Sequence, residues 1–150
     1  MGWQQRFSLN GKVALVTGGS SGIGSEIVSV FSEAGAHVIA TGLSEQRLAA
    51  VAESTGCETI CADIATVESC EALVAEALLR HPRVDILVNS AGVALVGSVL
   101  DYAVEDWDRT MAINLRAPFL LAKGLAPAMI KARAGKIINI SSQTGVIALA

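Results

Sequence analysis

Aromatic residues are scarce in this chain: Phe, Trp and Tyr together make up 4% of 150 residues. Its core must therefore come from Val, Ile, Leu and Ala, a mix that suits a sheet buried on both faces by helices. Charge is also sparse, at 17% against 52% hydrophobic residues, a balance that argues against disorder. The net charge of -3 and the lack of any Lys/Arg run exclude an electrostatic footprint for nucleic acid. The three cysteines, Cys57, Cys61 and Cys70, are odd in number and have no His at ligand spacing. They read as buried, reduced thiols, with no metal site. The opening "MGWQQRFSLNGK" lacks the apolar core of a signal peptide, and Arg6 spoils a myristoylation pattern. The longest uncharged run, residues 86–100, is too short and too polar to span a bilayer. The expected setting is a reducing cytoplasm, without membrane or nucleic-acid partners.

What is present is a regular alternation. "KVALVT" (12–17) reads as a buried strand and "GIGSEIVSVFSEAG" (22–35) as a helix ending at Gly35. "AHVIATG" and "SEQRLAAVAEST" repeat the pair, with Ser44 as N-cap. "CETICAD" precedes a helix "TVESCEALVAEALLRH" stopped by Pro82. "VDILVNSAG" precedes a long, interrupted helix over 104–133, and "GKIINISS" supplies a fifth strand. A chain of this length forms one domain at most, and this one has no linker or tandem repeat. Alternating strands and helices predict an α/β, doubly wound parallel sheet (Rossmann) with right-handed crossovers. Its ligand site belongs at the carboxyl ends of the strands, where strand order reverses. The polar and Gly-rich clusters at 17–24, 41–44, 63, 89–92 and 141–145 all fall at such ends.

"TGGSSGIGSE" joins the first strand to the first helix, and its glycines at 18, 22 and 24 allow a sharp turn and close approach to a ligand. The unpaired amides that open the helix suit an anion such as pyrophosphate. A nucleoside-triphosphate loop requires Lys and then Ser/Thr after its last glycine, whereas Ser25 and Glu26 stand here. The G-x-G-x-x-G dinucleotide fingerprint is not matched either, because the spacing is G-x-x-x-G-x-G. Asn114 carries a separate signal: its helical partner, Pro118, has no amide hydrogen, so the helix should bend there and free the Asn114 carbonyl.

"TGGSSGIG" behind Thr17, "NSAG" at 89–92, Asn114 in the long helix and "INISS" before residue 143 together resemble the short-chain dehydrogenase/reductase family, across essentially the whole chain. The resemblance implies a nicotinamide cofactor held by Gly18, Ser20, Ser21, Gly22, Ile23 and Gly24 around the pyrophosphate. It further implies Asp63 and Ile64 at the adenine, and Asn89, Ala91 and Gly92 along the adenosine side. A plainer role for Asp63 is as a helix N-cap in "DIAT", which is compatible with the first. Asn114 would bind a relay water through its main-chain carbonyl, and Ser142, three residues before Gly145, would orient a substrate oxygen.

The family's acid/base is a Tyr four residues ahead of a Lys, following the serine. Here the single tyrosine, Tyr102, lies upstream and has Asp106 four residues on. The expectation is of a chain cut short after its fifth strand, which binds cofactor and does not turn over. NAD and NADP both remain open: Gly42 stands at the usual acid position, Leu43 where NADP enzymes often carry Arg, and Arg47 nearby. The strongest likeness is to polyol and sugar-alcohol dehydrogenases, which implies a small-molecule secondary alcohol or ketone and, for the intact protein, a dimer or tetramer built through the Asn114 helix. A non-catalytic dinucleotide-binding module is the alternative. A nucleotide-sugar or methyl-donor enzyme would leave Ser142 and "NSAG" without a role.

Overall fold

The computed structural model describes residues 7–142. Five strands run β1 (Val13–Thr17), β2 (His37–Gly42), β3 (Glu58–Cys61), β4 (Ile86–Asn89) and β5 (Lys136–Asn139). They form one parallel sheet in the order β3-β2-β1-β4-β5. Helices α1 (Gly22–Glu33), α2 (Glu45–Thr55) and α3 (Val67–Arg80) follow the first three strands. The fourth crossover contains α4 (Val104–Met111), a π-helical segment (Ala112–Arg116) and α5 (Ala117–Lys131). The order reverses between β1 and β4, so the loops leaving Thr17 and Asn89 flank the switch point. This is the doubly wound Rossmann arrangement expected from the alternation.

Side-chain alternation along the central strands feeds two cores. Leu15, Ile39 and Leu87 point to one face, against Leu73 of α3 and Leu121 and Leu125 of α5. Ala14, Val16, Val38, Ala40 and Val88 point to the other, against Val28 of α1 and Leu48 of α2. Both faces are covered, which is why these strands read as continuous apolar runs rather than alternating ones. β5, at the sheet's edge in the described residues, is exposed along its length.

The caps follow local chemistry. Ser44 accepts the Arg47 amide and Gly56 closes α2 in the left-handed region. α3 is capped by Thr66, which accepts the Ser69 amide, so the N-cap role considered for Asp63 belongs three residues later. α1 ends at Glu33, with Gly35 beyond it at φ +92°. Pro118 does interrupt the long helix. The interruption is a widened turn, in which the Ala117 amide bonds the Ala112 carbonyl five residues back.

The cysteines depart from expectation. Only Cys70 is buried; Cys57 is half-buried and Cys61 is exposed at the end of β3, because that short strand turns residue 61 away from the core. Burial pushes the Cys70 thiol up, against a smaller opposing pull from Arg116. In a labelling experiment with an aromatic disulfide at pH 8, Cys61 should react first and Cys70 only on unfolding. Since native Cys70 stays protonated while an unfolded thiol ionises near ~8.5, its contribution to stability should hold below that pH and fall as pH rises further.

Candidate functional site

The carboxyl ends of β1 to β4 open into a crevice of about 400 Å³. Its floor is the first loop, where Gly18, Ser20, Ser21, Ile23 and Gly24 line the wall. Asp63 and Ile64 stand at the β3 end, and Ala91 and Gly92 face them from the loop after β4. Gly22 lies outside the lining but opens α1 at φ +55°. Asn89 is buried behind the wall, and its side-chain amide donates to Asn139 Oδ1 at 2.8 Å, tying β4 to β5. Its own Oδ1 is a buried acceptor without a partner among the described residues.

Two observations test whether the first loop fits a pyrophosphate. Ser21 is the N-cap of α1, yet its side chain makes no capping bond, unlike Ser44 and Thr66 on the next two helices. The first amides of α1 therefore remain unspent donors beside the crevice. Backbone also packs on backbone: a Cβ at Gly18 (φ +67°) would fall 2.9 Å from the Ala91 backbone. That leaves the two switch-point loops in direct contact and the ligand side open. The residues present fit the group.

The loop after β4 is held at both ends. Thr17 Oγ1 accepts from the Ser90 and Ala91 amides, each at 3.1 Å, and donates to the Val88 carbonyl. Two residues on, Asn114 grips Val93 twice: Oδ1 accepts the Val93 amide at 2.9 Å and Nδ2 donates to the Val93 carbonyl at 2.8 Å. The Asn114 side chain is thereby committed to structure, and Pro118 gives its main-chain carbonyl no amide to accept from. Asn114 does not line the crevice itself. Ser142 is exposed just beyond β5, while Ile140, two residues earlier, lines the crevice. Gly145 and the rest of that cluster lie outside the described residues.

Other contacts were not legible beforehand. Arg116 Nη2 donates to the Ala65 carbonyl at 2.6 Å, and Arg109 Nη2 stands 3.6 Å from Asp63 Oδ2. The π-helical segment is thus fastened to the β3 loop as well as to the β4 loop. Asp63 Oδ1 meanwhile accepts the Ala65 amide at 3.0 Å, which fixes the loop it begins. Thr41, Leu43, Ser44, Arg47, Val93 and Ile113 complete much of the wall. Among the described residues no group of His, Cys, Asp or Glu is placed to hold a metal, and no helix is long and apolar enough to cross a membrane.

Similarity to known proteins runs along the same residues. The NAD-dependent glycerol dehydrogenase of Listeria innocua is 41% identical over 150 residues, covering 99% of this chain and 59% of that protein. The D-threitol dehydrogenase of Mycolicibacterium smegmatis is 38% identical, covering 95% of this chain and 57% of that protein. The chain therefore spans less than two thirds of these relatives' length. A metagenomic short-chain oxidoreductase solved in complex with NADP shares 39% identity at a TM-score of 0.91, covering 95% of this chain and 67% of that one. The Pseudomonas aeruginosa RhlG/NADP active-site complex shares 32% at 0.89, over 96% of this chain and 59% of that one. The family model for short chain dehydrogenases matches residues 12–150, a stretch that takes in every strand of the sheet, and the chain belongs to that family.

Proposed function

We propose that residues 1–150 form the dinucleotide-binding domain of an NAD(P)-dependent oxidoreductase acting on a secondary alcohol or ketone. The observation that carries this reading is the uncapped start of α1 at the switch point, against which Gly18 and Ala91 pack backbone to backbone. Gly18, Ser20, Ser21, Gly22, Ile23 and Gly24 would hold the pyrophosphate, with Asp63 and Ile64 at the adenine and Ala91 and Gly92 along the adenosine. When bound, a nicotinamide accepts or donates the hydride. Asn114 would offer its main-chain carbonyl to a proton-relay water, and Ser142 would orient the substrate oxygen. The NAD-dependent and NADP-bound relatives support this cofactor class, and the glycerol and D-threitol dehydrogenases support a polyol substrate. Exposed Trp107, Leu115 and Phe119 along the Asn114 helix support self-association of the intact protein, and three free thiols support a reducing compartment.

One observation favours a second reading for the chain itself. No Tyr-x-x-x-Lys occurs in its 150 residues, which leaves it without the family's acid/base pair. We therefore expect saturable binding of a reduced nicotinamide nucleotide, seen as enhanced nicotinamide fluorescence, with no oxidation of glycerol or threitol by the same sample. A well-folded chain with no affinity for either nucleotide would overturn the assignment.

A further inference from the structure

NAD and NADP share the pyrophosphate and differ by one phosphate on the adenosine ribose. The residues that would meet that phosphate lie where β2 ends and α2 begins. An acid here would bond the ribose diol and repel a phosphate. Gly42 occupies that position, and a Cβ built on it falls 2.7 Å from Ser20 Oγ and 3.0 Å from Ser20 Cβ. A carboxylate at residue 42 would have to displace Ser20, so the diol-binding solution is absent and its space is taken. Leu43 is 63% exposed and contributes no polar side-chain atom.

Among the described residues two charged ones line the crevice, Asp63 and Arg47. Asp63 is offset by Arg109 at 3.6 Å. The Arg47 guanidinium has no ion pair or hydrogen bond among the described residues; its backbone amide donates to Ser44 Oγ. Arg47 stands in the first turn of α2, where the helix's positive end disfavours a cation. Ser44 takes the third amide of that helix, which leaves the Glu45 and Gln46 amides as unspent donors. The Glu45 carboxylate, on the same turn, is not among the lining residues. An unpaired guanidinium at the wrong end of a helix, in a wall that also carries Ser20 and Ser44, suits an anion, and a guanidinium meets phosphate bidentately.

We propose that this chain selects the 2'-phosphorylated nucleotide, NADP(H), and that Arg47, with the hydroxyls of Ser20 and Ser44, binds the 2'-phosphate. The proposal rests on the nucleotide-site reading above and adds to it which nucleotide is held.

The test is an equilibrium titration of the chain with NADPH and NADH, followed by nicotinamide fluorescence and repeated by calorimetry. NADPH should bind about 10-fold or more tightly than NADH, the scale expected of a charge-assisted hydrogen bond. The gap should narrow as salt is raised. Arg47→Gln should remove most of the NADPH advantage, lowering NADPH affinity far more than NADH affinity, since NADH carries no 2'-phosphate for Arg47 to meet. Arg47 is exposed, so the variant's melting temperature should match the parent's. Equal affinity of the parent chain for the two nucleotides, or an equal loss of both in Arg47→Gln, would overturn the proposal and leave the nucleotide site standing. Binding of neither nucleotide would overturn the site and the proposal together.

Discussion

Alanine in place of Gly24 is expected to disable the nucleotide site and lower the melting temperature by about 2–12 °C. The Cβ it introduces falls 2.1 Å from the Gly18 carbonyl oxygen and 2.6 Å from its carbon. Neither atom can rotate aside, because both are backbone, so α1 must lift or the first loop must open. Overpacking of this kind costs about 1–3 kcal/mol, and each kcal/mol moves the melting point of a domain this size by about 2–4 °C. The larger consequence is for binding. Loop and helix start must keep their alignment for the free amides to converge on one anion, and nucleotide affinity should fall by about 10-fold or more when they lose it. Gly56→Ala is the control: its φ of +70° carries strain, but nothing lies within 4 Å of the added Cβ. That variant should melt a few degrees lower and bind nucleotide as the parent does. Parental affinity in Gly24→Ala would mean that the start of α1 is not the pyrophosphate cradle.

The parallel sheet was legible because burial on both faces writes itself into β1, β2 and β4 as unbroken runs of Val, Ile, Leu and Ala. The first loop was legible for a different reason: a turn so crowded that a Cβ at position 24 meets backbone admits only glycine. Pro118 announced an interruption, since a missing amide is a local fact. That the chain would resolve it by a π-helical turn was not legible, because the choice depends on Ala112, Ile113 and Ala117 staying seated in the core. Nothing in the sequence singles out Arg109 or Arg116, because their bonds to Asp63 and the Ala65 carbonyl exist only where the fold brings residues 46 and 51 positions apart into contact. The cysteines misled for a similar reason. Their residue type favours burial, but β3 is four residues long and its last position faces out. Asp63 sat between two readings, and what settled its capping role was the placement of Thr66, three residues on.

Thr17→Val should separate the sheet from the loop it supports. Valine matches Thr17 in shape and size and lacks only its hydroxyl, which serves three backbone groups: it accepts from the Ser90 and Ala91 amides and donates to the Val88 carbonyl. Thr17 is 1% exposed, so water does not readily take over. Orphaned donors of this kind cost about 1–3 kcal/mol each, and with partial relaxation of the loop a loss of about 2–4 kcal/mol is expected, read by denaturant unfolding. Thr17→Ser keeps the hydroxyl and removes one methyl, for which a loss of about 1 kcal/mol is expected. Nucleotide affinity should follow the hydroxyl: lowered in valine, near parental in serine. The two variants therefore distinguish bonding from packing. A loss confined to the serine variant would assign the effect to the methyl group in the core, which valine keeps. Because Asn114 grips Val93 at the other end of the same loop, Thr17→Val should leave that end in place, and the disturbance should centre on Ser90 and Ala91. Hydrogen exchange at those two amides, faster in the valine variant and unchanged in the serine variant, is the expected signature of a loop held by one hydroxyl at the point where strand order reverses.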